Sequence, residues 1–384
     1  MKKLEKSMPV IRFKGFSEAW EQRKLGKEVE NVATGRSTFF TSIEQSSETP
    51  YAVLGSTSVI SYDKNFDHSG DFILTARVGA NAGNLYKYSG DVKISDNTVY
   101  IQAKSLDFVY YLLNKFDLKR LSFGTGQPLV KASELKNLKL MFPNDEEEQQ
   151  KIGKFFKYLD DTIALHQRKL DALKLMKKGF LQQMFPKRGE NIPKIRLDDF
   201  DDIWEQRILG EFLKESKIKG SNGSLAKKLT VKLWRKGVVP KEEIYTGSSA
   251  TQYYIRKTGQ FIYGKLDFLN QAFGIIPLEL DGYESTLDSP AFDIEESINE
   301  TFLLEYVSLV RFYKYQGNIA NGSRRAKRIH TDTFFEMPIP LPNSNEQQKI
   351  GTFSQQIDDL IALQQNKLEK ISSLKRFYLK NMFI

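Results

Sequence analysis

Cysteine is absent from all 384 residues, so disulfide bridges and thiolate metal sites are excluded. Histidine is scarce: His68, His166 and His330 leave little for an imidazole-based metal centre. The charged start MKKLEKSMPV is not followed by an apolar run, so neither a signal peptide nor a membrane span is expected, and the expected compartment is the cytoplasm. No G-x-x-x-x-G-K-[ST] phosphate loop and no G-x-S-x-G nucleophile elbow occurs. Gly79-Ala-Asn-Ala-Gly83 lacks the rest of a dinucleotide fingerprint and reads as a turn. The remaining composition is that of an ordinary soluble chain with net charge +9, long enough for two or three domains with real cores. A moderate basic excess fits a polyanionic partner without proving one.

What the chain does have is internal repetition. Glu148–Phe185, EQQKIGKFFKYLDDTIALHQRKLDALKLMKKGFLQQMF, returns without a gap 198 residues later as Glu346–Phe383, EQQKIGTFSQQIDDLIALQQNKLEKISSLKRFYLKNMF. In the first copy Ile152, Phe156, Leu159, Ile163, His166, Leu170, Leu173, Lys177, Phe180 and Met184 alternate steps of four and three. The second copy places Ile350, Ser354, Ile357, Ile361, Gln364, Leu368, Ile371, Lys375, Tyr378 and Met382 at the same points. This spacing keeps one stripe on one side of an α-helix and suits knobs-into-holes packing. Neither copy contains proline, and a helix of this length runs roughly 55–60 Å, which favours a two-helix coiled coil. His166 and Gln364 mark the midpoints of the two helices, counted from Glu148 to Met184 and from Glu346 to Met382. Antiparallel helices related by a pseudo-twofold axis would set these residues side by side as a register-fixing polar pair.

A second repeat lies upstream. Ile11-Arg12-Phe13 through Trp20-Glu-Gln-Arg-Lys-Leu-Gly26 recurs as Ile195-Arg196-Leu197 through Trp204-Glu-Gln-Arg-Ile-Leu-Gly210, at an offset of 184. The chain therefore reads as head, variable segment, long helix, and the same again, with a longer second variable segment. A shared frame with dissimilar pieces between suggests two readers of different things. The first segment, about Glu28 to Pro143, has strand-like runs at Tyr51–Leu54, Asp71–Ala76 and Thr98–Gln102, and a short amphipathic helix at Phe108–Lys115. In the second, about Glu211 to Pro342, Gly259-Gln-Phe-Ile-Tyr parallels Gly70-Asp-Phe-Ile-Leu, and Phe302–Leu309 parallels the short helix. Each segment ends at Phe142-Pro143 or Leu341-Pro342. Asn144 or Asp145, and Asn343 to Asn345, offer N-caps there. Pro186–Pro193, charged and proline-bounded, reads as an exposed linker.

The neighbouring pairs Asp160-Asp161 and Asp358-Asp359 miss the apolar stripe. They read as a solvated or partner-facing surface rather than as paired catalytic carboxylates. Two polar clusters point to nucleic acid. In the first segment Arg77, Asn81, Asn84, Lys87 and Lys93 surround a glycine-rich turn, and Gly124, Thr125 and Gln127 lead to Lys131. In the second, Asn321, Ser323, Arg324, Arg325, Lys327 and Arg328 hold the equivalent place before the long helix, and Lys265, Asn270 and Gln271 complete the candidate set. Cations on glycine-bearing loops suit phosphates; arginine can read guanine, and asparagine or glutamine can read adenine.

Two variable domains, each followed by a Pro–EQQKI long helix ending in Met-Phe and preceded by a WEQR-x-LG head, resemble the specificity subunit of type I restriction–modification systems. The resemblance covers nearly the whole chain. It implies an α+β architecture of two β-rich mixed target-recognition domains joined by two long antiparallel coiled-coil helices, with internal pseudo-twofold duplication. The corresponding boundaries are 1–145, first recognition domain; 146–185, first long helix; 186–193, linker; 194–342, second recognition domain; and 343–384, second long helix. It further implies a non-catalytic subunit in which each domain reads half of a bipartite double-stranded DNA target and the helix pair sets the spacing. Expected partners are two modification (methyltransferase) subunits and the restriction subunits. No cofactor is expected in this chain; S-adenosylmethionine, ATP and magnesium would belong to the partners. No family residue maps onto a base contact, so the candidate sites above rest on charge, turns and placement. A coiled-coil scaffold binding protein or glycan is the competing reading. A methyltransferase in its own right would need a cofactor glycine motif and an Asn/Asp-Pro-Pro-aromatic motif, and the chain has neither.

Overall fold

The computed structural model describes residues 7–38, 41–122, 128–242, 248–319 and 328–384. The chain divides into two compact units, 1–168 with 366–384, and 169–365. Each unit contains a head, a variable domain and one end of each long helix, so the compact units cut across the expected spacer segments.

The first long helix spans Glu146–Met184 and the second Ser344–Asn381. Asp145 Oδ1 accepts from the Glu147 amide at 2.7 Å and Asn343 Oδ1 from that of Glu346 at 3.0 Å, so one of the expected caps serves each start. Every position of both stripes is buried or half-buried. Inside the first unit Phe155 meets Tyr378 and Asp160 meets Lys375; inside the second Phe180 meets Phe353 and Lys177 meets Asp358. Residue numbers rise on one helix as they fall on the other, so within each unit the two segments run antiparallel. His166 falls in the first unit and Gln364 in the second.

The repeated residues hold the heads to the helices. Glu148, with none of its surface exposed, receives two guanidinium hydrogen bonds from Arg12 at 2.6 and 2.7 Å. Glu346, equally buried, receives two from Arg196 at 2.8 and 2.5 Å. Such bidentate pairing is what makes a buried carboxylate tolerable. Gln149 and Gln347 donate to the carbonyls of Pro143 and Pro342. Glu21–Lys24 pairs antiparallel with Lys139–Phe142, and Glu205–Ile208 with Pro338–Leu341. Trp20 packs edge-on against Phe108 and Phe383, and Trp204 against Phe185 and, at a tilt, Phe302. The repeated Met-Phe ends are thus core residues.

Each variable domain is built on a four-stranded antiparallel sheet. In the first unit the order is Asn31–Thr34, Thr98–Gln102, Asp71–Ala76, Leu85–Ser89; in the second it is Leu213–Ser216, Ala291–Ile294, Phe261–Tyr263, Phe273–Ile275. The strands expected at 51–54, 71–76 and 98–102 form over those residues. Phe72, Ile73 and Leu74 are fully buried, as are Phe261, Ile262 and Tyr263, so the recurring Phe-Ile run is the central strand in both. A second sheet of three strands accompanies each. The expected short helices span Leu106–Phe116 and Glu300–Val307 and dock on the long helices. Gly153 and Gly351 permit this docking: a Cβ at Gly153 would stand 2.7 Å from the Phe108 amide, and one at Gly351 2.6 Å from Asn299 Oδ1. Lys187–Ile192 of the linker is exposed between buried Pro186 and Pro193.

Asp160 and Asp358 are not the solvated or partner-facing groups that their place off the stripe predicts. Asp160 accepts from Lys375 and, at 2.7 Å, from the Tyr111 hydroxyl; Asp358 accepts from Lys177 at 2.6 Å. The first aspartate of each pair therefore ties the two helix segments together. Flanking the stripe is enough when a lysine on the facing stripe reaches across. Asp161 and Asp359 do stay on the surface.

Candidate nucleic-acid interface

The candidate polar residues gather where the central strand ends and turns into its edge neighbour. In the first unit that connection runs from Arg77 to Asn84, in the second from Gly264 to Ala272. Arg77 and Lys265 occupy the same structural place. The Arg77 amide donates to Asn97 O and its carbonyl accepts from Val130; the Lys265 amide donates to Asp288 O and its carbonyl accepts from Ile329. Val130 and Ile329 are fully buried, fixing the backbone beneath each cation. The two positions thus share a pattern of backbone hydrogen bonding, in domains of little sequence similarity.

Arg77, Asn81 and Asn84 share one connection. It folds as two successive turns, Ala82 to Gly79 and Asn84 to Asn81, and is stitched to the following segment by Gly79 donating to Pro128 O. Arg77 and Asn81 are exposed, and Asn84 donates to Asn81 Oδ1 at 3.2 Å. Lys131 follows Val130 directly and lies 3.7 Å from Glu134, an exposed pairing that leaves it available to a phosphate. Lys87 and Lys93 are not part of this group. Lys87 pairs with Asp107 at 2.6 Å beside the Tyr110 ring, and Lys93 pairs with Asp63 at 2.8 Å. In the second unit Arg328 sits 3.4 Å from Asp288, which ties it to Lys265. Asn270 and Gln271 close the connection; Asn270 donates to Asp267 at 3.2 Å, and Gln271 has a left-handed backbone with φ 53°. Gly124, Thr125, Gln127, Asn321, Ser323, Arg324, Arg325 and Lys327 lie outside the described residues.

A second polar constellation went unseen in the sequence. Glu305, 1% exposed, accepts from Arg235 at 2.5 and 2.9 Å, from Lys177 at 2.9 Å and from Ser354 at 2.6 Å. Burial alone would raise its carboxyl, but Arg235, Lys177 and Ser354 outweigh burial and hold it at about 2. In the first unit the equivalent docking-helix position is Tyr111, packed at a tilt on Phe156 with ring centroids 5.1 Å apart, where Ser354 stands in the second. The only advance signal was a lone glutamate among Phe302, Leu303, Leu304, Tyr306 and Val307. Among the described residues, no group of three or more His, Cys, Asp or Glu is placed to hold a metal, and no helix is long and apolar enough to cross a membrane.

What the geometry offers is two similar frames presenting cations and amides at matching turns over different surroundings. The comparisons with known proteins agree with that duplication. The model of the type I restriction modification DNA specificity domain matches twice, over residues 17–175 and 204–373. The type I restriction enzyme MjaVIII specificity subunit of Methanocaldococcus jannaschii is 25% identical over 323 residues, covering 78% of this chain and 75% of that protein. The fold is similar to that of a type I restriction–modification S subunit from M. genitalium, with TM-score 0.66 at 14% identity over 98% of this chain and 99% of the other. It is also similar to a chain solved in work on complex assembly and conformational transition of the type I R-M system, with TM-score 0.53 at 16% identity over 95% and 97%. With two matches that together span most of its length, the chain belongs to the type I restriction modification DNA specificity family.

Proposed function

We propose that this chain is the non-catalytic DNA-reading subunit of a type I restriction–modification complex acting in the cytoplasm. Each unit reads one half of a bipartite double-stranded target. The long helices form one antiparallel coiled coil that sets the distance between half-sites and docks two modification subunits. Restriction subunits join that complex. Methyl transfer from S-adenosylmethionine and ATP- and magnesium-dependent work belong to those partners.

The observation that carries this reading is the matched placement of Arg77 and Lys265, each at the end of a central strand and each backed by the chain that leads into a long helix. A pseudo-twofold protein with equivalent cations on two units is suited to one duplex, with half-sites about one helical turn (~34 Å) apart or at a related spacing. Dissimilar surroundings give each unit its own sequence preference.

A gel shift on a mixed duplex pool at increasing salt tests it. Duplex binding that weakens steeply with salt is expected, because cations on phosphates release counterions. Absence of duplex binding at low salt would favour a protein- or glycan-binding scaffold instead.

A further inference from the structure

Three non-glycine residues with left-handed backbones meet at one place in the second unit: Trp234 at φ 59°, Arg235 at φ 53° and Gln271 at φ 53°. Side chains other than glycine resist this conformation, and it persists only where surrounding bonds impose it. Here they do. The Trp234 amide donates to Asn270 O at 2.7 Å and the Arg235 amide to Gln271 O at 3.1 Å. The Arg235 side chain is anchored on buried Glu305.

Trp234 and Arg235 lie in the tip of a two-stranded ribbon, Leu229–Val231 paired antiparallel with Val238–Pro240. Its base is fixed: Leu229, Val231 and Val238 pack with Ile262 and Ala291. Its tip is open, with Trp234 54% exposed beside exposed Lys232, Leu233 and Lys236. The tip, Lys232 to Gly237, carries three cations and no carboxylate, and Arg235 is taken up by Glu305. Among the described residues the first unit has no counterpart of this ribbon. A large exposed aromatic surface on a backbone fixed in a strained conformation, flanked by lysines with no ion pair among the described residues, is poorly explained by stability, and well explained by contact with a polyanion that also has apolar surface.

We propose that the ribbon Leu229–Pro240 is a DNA-contacting element of the second unit: Trp234 packs against base edges in a groove while Lys232 and Lys236 meet the flanking phosphates. The proposal rests on the reading that the chain binds duplex DNA. A two-stranded β-ribbon has the width to enter the major groove, where an apolar side chain can meet a thymine methyl group. The adjoining connection with Asn270 and Gln271 supplies polar groups of the kind that read adenine. Because the ribbon belongs to one unit, its contribution is confined to one half-site.

The chain's other tryptophans, Trp20 and Trp204, are 2% and 1% exposed, so acrylamide quenching of fluorescence reports chiefly on Trp234. The probe is a duplex selected by the full chain from a random pool. Expected are loss of quenching on adding that duplex, no such quenchable signal in W234F, and roughly tenfold weaker binding by W234A with an unchanged salt slope. K232A with K236A lowers the salt slope by about two. If W234A binds the selected duplex as tightly as the unaltered chain and Trp234 stays quenchable on it, the proposal is overturned, as it is if only a modification subunit protects Trp234. If the unaltered chain selects no duplex, the DNA-binding reading itself falls, a result distinct from intact binding by W234A.

Discussion

The Lys177 ammonium lies 2.6 Å from Asp358 on the second long helix and 2.9 Å from Glu305 on the docking helix. The first unit repeats the interhelical pair as Lys375 with Asp160, but its third partner is the neutral Tyr111 hydroxyl. The two pairs therefore differ in worth. Glu305 is 1% exposed, whereas the Asp160 side chain is 36% exposed. Lys177→Ala removes one of two cations from a buried carboxylate and is expected to cost about 2–4 kcal/mol. Lys375→Ala acts on a half-exposed pair and is expected to cost about 1 kcal/mol or less. Thermal denaturation of the two variants checks the order; equal losses would contradict it.

Glu305 also sets a pH dependence. Its carboxyl is held at about 2, below the ordinary 4.5, so ionised Glu305 stabilises the folded second unit. That contribution is fully present above pH 4.5 and fades as pH falls toward 2. Its size is on the order of 3 kcal/mol. Glu305→Gln should be less stable at neutral pH and lose less between pH 4.5 and 2. Urea unfolding followed through Trp204, with Trp20 and Trp234 replaced by phenylalanine, measures both curves.

Arg77 and Lys265 are expected to grip phosphates in equivalent ways. Arg77→Ala and Lys265→Ala should each weaken duplex binding and lower the slope of log affinity against log salt by about 0.9, the double variant by about twice that. Binding titrations over a salt series read the slopes directly. Unchanged slopes would remove these residues from the interface.

His166 and Gln364 are proposed to meet at the midpoint of the helix pair. The chain has no cysteine of its own, so H166C with Q364C gives a clean test. A disulfide should form under mild oxidation, given the short separation such a bond demands. A control pair offset by one helical turn should not cross-link; if it does so in preference, the helices are out of the proposed register.

Much of the frame was legible in the sequence because repetition removed the usual ambiguity. The stripe from Ile152 to Met184 and its copy are buried or half-buried throughout, and Tyr51–Leu54, Asp71–Ala76 and Thr98–Gln102 are strands as expected. Interactions between segments distant in sequence were not legible. Nothing local to Arg12 announces Glu148, 136 residues on. Asp160 and Asp358 were misread because a single-helix pattern carries no information about a lysine reaching from the facing helix. Lys87 and Lys93 were grouped with the Arg77 turn by nearness in sequence, yet strand geometry sends them to Asp107 and Asp63. The Trp234 ribbon escaped notice because three-residue strands give too few alternations to register as a pattern.

One frame is proposed to carry two independent readers. The most direct measurement replaces residues 28–143 with the corresponding segment of another specificity subunit, expresses the hybrid with the modification subunits, and maps methylated adenines. One half of the methylated target is expected to change while the other half and the spacing between them stay as they were. A change in both halves, or in the spacing, would contradict it.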